Sequence, residues 1–207
     1  MVPATALSAA TSTHHPVRLD GREALRWLRS RLRQRPSRTL VAIDGLPGAG
    51  KTSFANELAE LLADSGTECI RISLDDYVLT ATDDPDTVAT FLEDVIEPLT
   101  DNGSGRYRTP TLDHARLPKW TCVGDQAVVL VDGCGLHAPA FTDSAGEHPW
   151  QLSVWLDVPV DEAVHRQSPQ SAGATSRLNQ LRYLRECDPA RRANLVVDNR
   201  HPHLPVD

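Results

Sequence analysis

The sequence predicts an α/β fold, with a five-stranded parallel sheet, helices on both faces and a short lid. Three observations carry this expectation. Apolar, β-branched runs alternate with segments of helical spacing, the pattern of a parallel sheet covered on both sides. The first strong run leads directly into a glycine-rich loop and then a helix. Acidic residues fall at the carboxyl ends of the runs, where folds of this class bind ligands.

The elements follow in order. Met1 to Pro16 is small and polar, without a basic start or an apolar core, so it reads as a disordered tail and not a secretory signal. His14-His15 in it is read as incidental. Residues 17–207 suit a single domain with a full core. Arg22 to Gln34 has Leu25, Leu28 and Leu32 on one side and predicts a leading helix. Thr39 to Asp44 is a buried strand. Ser53 to Ala63 is a helix with Phe54, Leu58, Leu61 and Leu62 on one face, closed by Gly66. Glu68 to Leu74 is a second strand, and Thr87 to Leu99 has helical spacing. Asp101 to Gly105 is a turn, and Arg106 to Trp120 an extended basic stretch. Gln126 to Gly133 is a third strand, apolar enough to be covered on both faces. Leu152 to Val158 and Leu195 to Asn199 complete the sheet. Between them lie a helix from Val160 to Arg166, a polar loop from Ser168 to Ser176 and a basic helix from Arg177 to Cys187.

Bulk properties narrow the function. A formal net charge of -7 argues against a nucleic-acid or anionic-membrane partner. No apolar run is long enough to span a bilayer. Cys69, Cys122, Cys134 and Cys187 form no C-x-x-C pair and fit no zinc spacing, so reduced thiols and a cytoplasmic location are expected.

Gly45-Leu46-Pro47-Gly48-Ala49-Gly50-Lys51-Thr52 satisfies G-x-x-x-x-G-K-[ST], the phosphate-binding P-loop. Glycines let successive N–H groups turn inward on a polyphosphate, and the following helix adds the positive end of its dipole. Gly45, Gly48, Ala49, Gly50, Lys51, Thr52 and Ser53 are therefore the candidate nucleotide cradle. Lys51 is expected on the β- and γ-phosphates and the Thr52 hydroxyl on Mg²⁺. The bland alternative, a Gly-Pro turn, does not explain the strand, loop and helix in that order.

Asp132 ends the Val-Val-Leu-Val run, as a Walker B carboxylate that holds Mg²⁺ directly or through water does. Its alternative is a turn aspartate before Gly133. Asp75 ends the second strand and is the candidate base for an acceptor hydroxyl, with Asp76 as substitute and helix capping as the alternative. Asp83, Asp84 and Asp86 suit either acceptor hydroxyls or helix caps. Arg166, Arg177 and Arg182 are candidates to neutralise a transferring phosphoryl group, and Arg106 and Arg108 to contact acceptor or phosphate. Each could equally be a solvated arginine.

The chain resembles the uridine kinase and phosphoribulokinase group of P-loop kinases, most of all its short actinobacterial-type members. The resemblance rests on Val41 through Thr52, Ile72 through Tyr77, Glu97-Pro98-Leu99 with Gly103 through Arg108, and Val129 through Gly133. It continues in Val154 through Pro159, Arg182 through Pro189 and Ala193 through Asn199. It implies γ-phosphate transfer from ATP, with Mg²⁺, to a hydroxyl of a nucleoside or similar small acceptor. It implies Asp75 as general base and the segment near Asp198-Asn199 beside the adenine pocket. A homo-oligomer is compatible with it, since the group often assembles. Two departures stand out. Leu112 and Leu117 occupy the places of a tyrosine and a histidine that meet the pyrimidine, which argues against uridine itself. Gln167-Ser168-Pro169-Gln170 stands where an arginine-aspartate lid segment is expected. The rival expectations are a nucleotide-binding switch that has lost transfer, and a kinase for a non-nucleoside alcohol.

Overall fold

The strand leading into the glycine loop, Thr39–Gly45, is buried along its whole length and forms the middle of a six-stranded parallel sheet. The computed structural model describes residues 15–33, 35–77, 85–100, 102–109, 119–143, 146–167 and 177–200. In chain order the strands are β1 (Val17–Asp20), β2 (Thr39–Gly45), β3 (Cys69–Ser73), β4 (Arg106–Thr109), β5 (Lys119–Cys122), β6 (Val128–Gly133), β7 (Leu152–Asp157) and β8 (Leu195–Asp198). The helices are α1 (Gly21–Leu32), α2 (Lys51–Asp64), α3 (Pro85–Phe91), α4 (Glu97–Leu99), α5 (Val160–Arg166), α6 (Arg177–Cys187) and α7 (Pro189–Arg192). The main sheet runs β1-β8-β7-β2-β6-β3. Its order reverses at β2, which has β6 on one side and β7 on the other. That switch point opens the crevice in which such sheets bind ligands.

Alternation along β2 sorts the core. Val41 and Ile43 join Leu25, Leu28, Leu32, Phe54, Leu58 and Leu62 of α1 and α2 in one apolar cluster. Leu40 and Ala42 join Val88, Phe91, Val95, Ile96 and Leu99 in the other. Both faces are therefore covered, which is why β2 and β6 are apolar at consecutive positions.

Three expectations are corrected. The sheet has six strands, not five: Val17–Asp20 pairs in parallel with Leu195–Asp198 as an outer edge. Four residues, mostly exposed, are too few to carry a periodic signal. The same segment caps α1, because the Asp20 carboxylate accepts from Glu23 N at 2.8 Å in a capping box. The helix consequently starts at Gly21 and ends at Leu32. The basic stretch after Gly105 contains a second, antiparallel sheet of β4 and β5, with Arg106 opposite Cys122 and Thr109 opposite Lys119. The helical rod from Pro85 to Leu99 widens to a π-helix over Leu92–Ile96. Residues 1–14, Asp83, Asp84, Leu112, Leu117 and residues 168–176 lie outside the described residues.

A candidate phosphate-transfer site at the carboxyl end of the sheet

The loop leaving β2 can only be built with its glycines. Gly48 and Gly50 have φ of +85° and +86°, a region that favours glycine. A Cβ on Gly48 would come within 2.1 Å of the Ala163 carbonyl oxygen on α5. Close contact with α5 is reinforced by Gln167 Nε2, which donates to the Pro47 carbonyl at 3.0 Å. From the other side, Asn199 Nδ2 donates to the Ala49 carbonyl at 2.7 Å. The loop is thus held by the ends of α5 and β8, and α2 begins from left-handed Gly50. Lys51 is buried and its ammonium donates to the Leu46 carbonyl at 3.2 Å.

Thr52, on the first turn of α2, lies 3.5 Å from Asp132 at the end of β6, measured Oγ1 to Oδ2. A hydroxyl and a carboxylate at the mouth of a phosphate loop are the hard oxygen donors that Mg²⁺ takes, so the residues fit that ion. The curled backbone and its lysine fit a polyphosphate. Asp75 sits on a short 3₁₀ turn just past β3, exposed, and no described side chain pairs with it. Ser73 is in register with Asp132, so Asp75 lies at the same edge of the sheet as the Thr52 and Asp132 oxygens.

The arginines divide. Arg166 Nη1 donates to the Asn199 carbonyl at 3.0 Å, its Nη2 to the Arg200 carbonyl, and its Nε to Glu162 at 2.9 Å. It lines a cavity of about 170 Å³ with Gly21, Leu25, Gly48, Gly50, Ser53, Phe54, Glu57 and Asn199. Arg177 pairs with Asp161 and Arg182 with Glu186, all well exposed. Arg108 pairs with Asp94 at 3.4 Å, and Arg106 lies over the Trp120 ring. The Tyr77 hydroxyl donates to the Arg108 carbonyl at 2.9 Å, tying the small sheet to the segment that carries Asp75.

Two groups of functional interest were missed by sequence reasoning. Arg71 on β3 makes a side-on pair with Asp132, Nε to Oδ1 at 2.7 Å and Nη2 to Oδ2 at 3.1 Å. A charged residue inside a short apolar strand was the available signal. The second group centres on Asp44, which is fully buried at the end of β2. Its Oδ1 accepts from Gly45 N at 2.7 Å and Gly135 N at 3.0 Å. Its Oδ2 accepts from His137 N at 3.1 Å, His137 Nδ1 at 2.8 Å and the Tyr183 hydroxyl. Burial, and then the neighbouring Asp44 charge, push the Tyr183 phenol far above its usual range. Asp44 thereby links the root of the phosphate loop, the segment after Asp132 and helix α6.

The fold is shared with solved structures of kinase-named proteins. The chain aligns with the possible uridine kinase of Bacillus stearothermophilus at a TM-score of 0.59 and 19% identity, covering 86% of this chain and 98% of that one. It also aligns with a provisionally named fructose transport system kinase from Silicibacter sp. TM1040, at a TM-score of 0.54 and 21% identity, covering 87% and 99%. At these identities the likeness is one of fold. No protein-family model matches the sequence, and no curated protein matches it. No helix among the described residues is long and apolar enough to cross a membrane.

Proposed function

We propose that this protein is an ATP- and Mg²⁺-dependent kinase that transfers the γ-phosphate to a hydroxyl of a small acceptor, a nucleoside or a similar compound. One observation carries the reading. The phosphate loop, the Thr52–Asp132 oxygen pair and the Asp75 carboxylate, which no side chain pairs with among the described residues, share one edge of three neighbouring strands, β2, β6 and β3. In this mechanism the loop amides and Lys51 hold the polyphosphate and draw charge toward the bridging oxygen. Thr52 and Asp132 would hold Mg²⁺, whose charge would offset that of the phosphates. Asp75 orients the acceptor hydroxyl for in-line attack and takes its proton. The cavity beside Arg166 and Asn199 suits the nucleotide base, with Arg166 as a wall fixed by backbone carbonyls. We accordingly assign Arg166 to nucleotide positioning ahead of the phosphoryl-stabilising role expected for it.

The two fold neighbours carry a nucleoside and a sugar in their names, so the acceptor class spans both. A second reading, a nucleotide-binding protein without transfer, is favoured by one observation: Arg71 already occupies both oxygens of Asp132. A mass-spectrometric transfer screen with Mg·ATP separates the two. The panel holds nucleosides, vitamins and sugars, with Lys51→Ala as the blank. A phosphorylated acceptor is expected with the native chain and not with the blank. Asp75→Asn is expected to lower kcat by about 100-fold or more while ATP affinity stays within about twofold. Bound ATP with no product on any acceptor would select the second reading.

A further inference from the structure

Arg71 lies on β3, an edge strand, and its side chain is 27% exposed. The carboxylate it meets is only 2% exposed. A buried carboxylate needs a partner, and among the described residues Arg71 supplies the only ion pair with it. Arg71 Nη1 also donates to Asn56 Oδ1 on α2 at 3.3 Å, so the guanidinium is pinned between sheet and helix. Its planar fork covers one edge of the carboxylate with two charge-assisted hydrogen bonds. A carboxylate offers about four acceptor positions. Two are taken by Arg71, and the Thr52 hydroxyl stands at 3.5 Å from Oδ2, so the carboxylate keeps acceptor capacity beyond its ion pair.

We infer that Arg71 is a positioning residue that keeps Asp132 charge-paired, so that Mg²⁺ enters this site with the nucleotide and not ahead of it. The inference rests on the reading of Thr52 and Asp132 as the metal side of the site. A divalent ion arriving alone meets a carboxylate already neutralised by a fixed cation. The buried Lys51 ammonium, at the start of the same helix as Thr52, adds a second positive charge. Phosphate oxygens of a nucleotide supply the negative charge that the protein withholds. An arginine that merely tied β3 to α2 would leave metal affinity unchanged when removed.

The test uses Mn²⁺ as the probe, titrated into the nucleotide-free full chain and read by electron paramagnetic resonance. The native chain is expected to leave Mn²⁺ free. Arg71→Gln is expected to bind it at least about tenfold tighter, a change of about 1.4 kcal/mol. Arg71→Gln/Asp132→Asn is expected to lose that gain. Equal affinity in the native chain and Arg71→Gln would overturn the inference, and so would a gain that survives in the double variant. If Arg71→Gln does not fold, Arg71→Met replaces it. Methionine removes the charge and keeps the length of the stem, and this variant is expected to bind Mn²⁺ at least about tenfold tighter than the native chain, with no change overturning the inference. Phosphotransfer by the native chain is measured separately. Its failure would remove the kinase reading, whereas the Mn²⁺ affinities alone decide the role of Arg71.

Discussion

Asp44 and Asp132 end adjacent strands, and both are buried, but they are compensated differently. Asp44 is surrounded by backbone and side-chain donors, whereas Asp132 relies on one guanidinium and a threonine hydroxyl. A carboxylate with five donors is a fixed structural anchor, and one with spare acceptor capacity is available to a ligand. Beyond the Asp44 network lies His148, whose ring packs edge-on to His137 at 5.9 Å between centroids. His148 Nδ1 donates to the Phe141 carbonyl at 3.2 Å, and Nε2 is buried with no hydrogen-bond partner among the described residues. Burial lowers the His148 pKa below its usual value of 6.5. The Phe141 carbonyl and Glu147 oppose that shift, and His137 and Arg192 add to it. The folded state therefore binds fewer protons than the unfolded chain once the pH falls below about 6.5. The stability contributed by neutral His148 is present above that value and is lost as pH falls through the lowered folded pKa. A series of Tm measurements from pH 7.5 to 5 is expected to fall more steeply for the native chain than for His148→Gln. Parallel curves would show that His148 does not set the acid limb.

At the scale of elements, the phosphate loop is shaped as much by α5 as by its own glycines. Gly48 faces the Ala163 carbonyl so closely that a methyl group cannot enter, and its φ is positive. Gly48→Ala combines a steric clash with left-handed strain of about 1–2 kcal/mol. It is expected to weaken nucleotide binding by about tenfold or more while lowering Tm by only a few degrees, since the clash can be relieved by moving the loop. Titration with a fluorescent ATP analogue checks this, and unchanged affinity would mean that the loop's conformation is not needed for binding. Another element-scale feature is the π-helix at Leu92–Ile96, which carries Asp94 to Arg108 on β4. Widened turns of this kind recur at functional sites. Here the turn sits under the small sheet that Tyr77 ties to the Asp75 segment.

At the scale of the whole molecule, β1 finishes the sheet. It pairs along β8, with Val17 N donating to the Asn194 carbonyl at 3.1 Å, and its last residue caps α1. A chain starting at Gly21 would expose the outer edge of β8 and uncap α1. The cap contributes about 1 kcal/mol and the pairing a similar amount, so Tm is expected to fall by about 4–8 °C. A shift below about 1 °C would show that β1 adds nothing to the fold. Arg38 has a comparable integrating role at the opposite end of the sheet. It is 5% exposed and donates to the carbonyls of Thr100, Val123 and Gly124 and to Asp125.

The phosphate loop, the alternation of strands and helices, and the acidic residues at the strand ends were legible along the chain alone. These are set by spacing along the chain: a glycine pattern within eight residues, an apolar period, a carboxylate after an apolar run. Which of those groups meet depends on how the chain folds back on itself. Arg71 and Asp132 are far apart in sequence, as are Asp44 and Tyr183, and no local period connects them. Arg166 looked free as a residue in the last turn of a helix, yet it is committed to carbonyls beyond β8. The edge strand β1 was invisible for the same reason. Its four residues become a strand because β8 offers an unpaired row of backbone donors and acceptors, and that row exists only after the chain has folded back on itself.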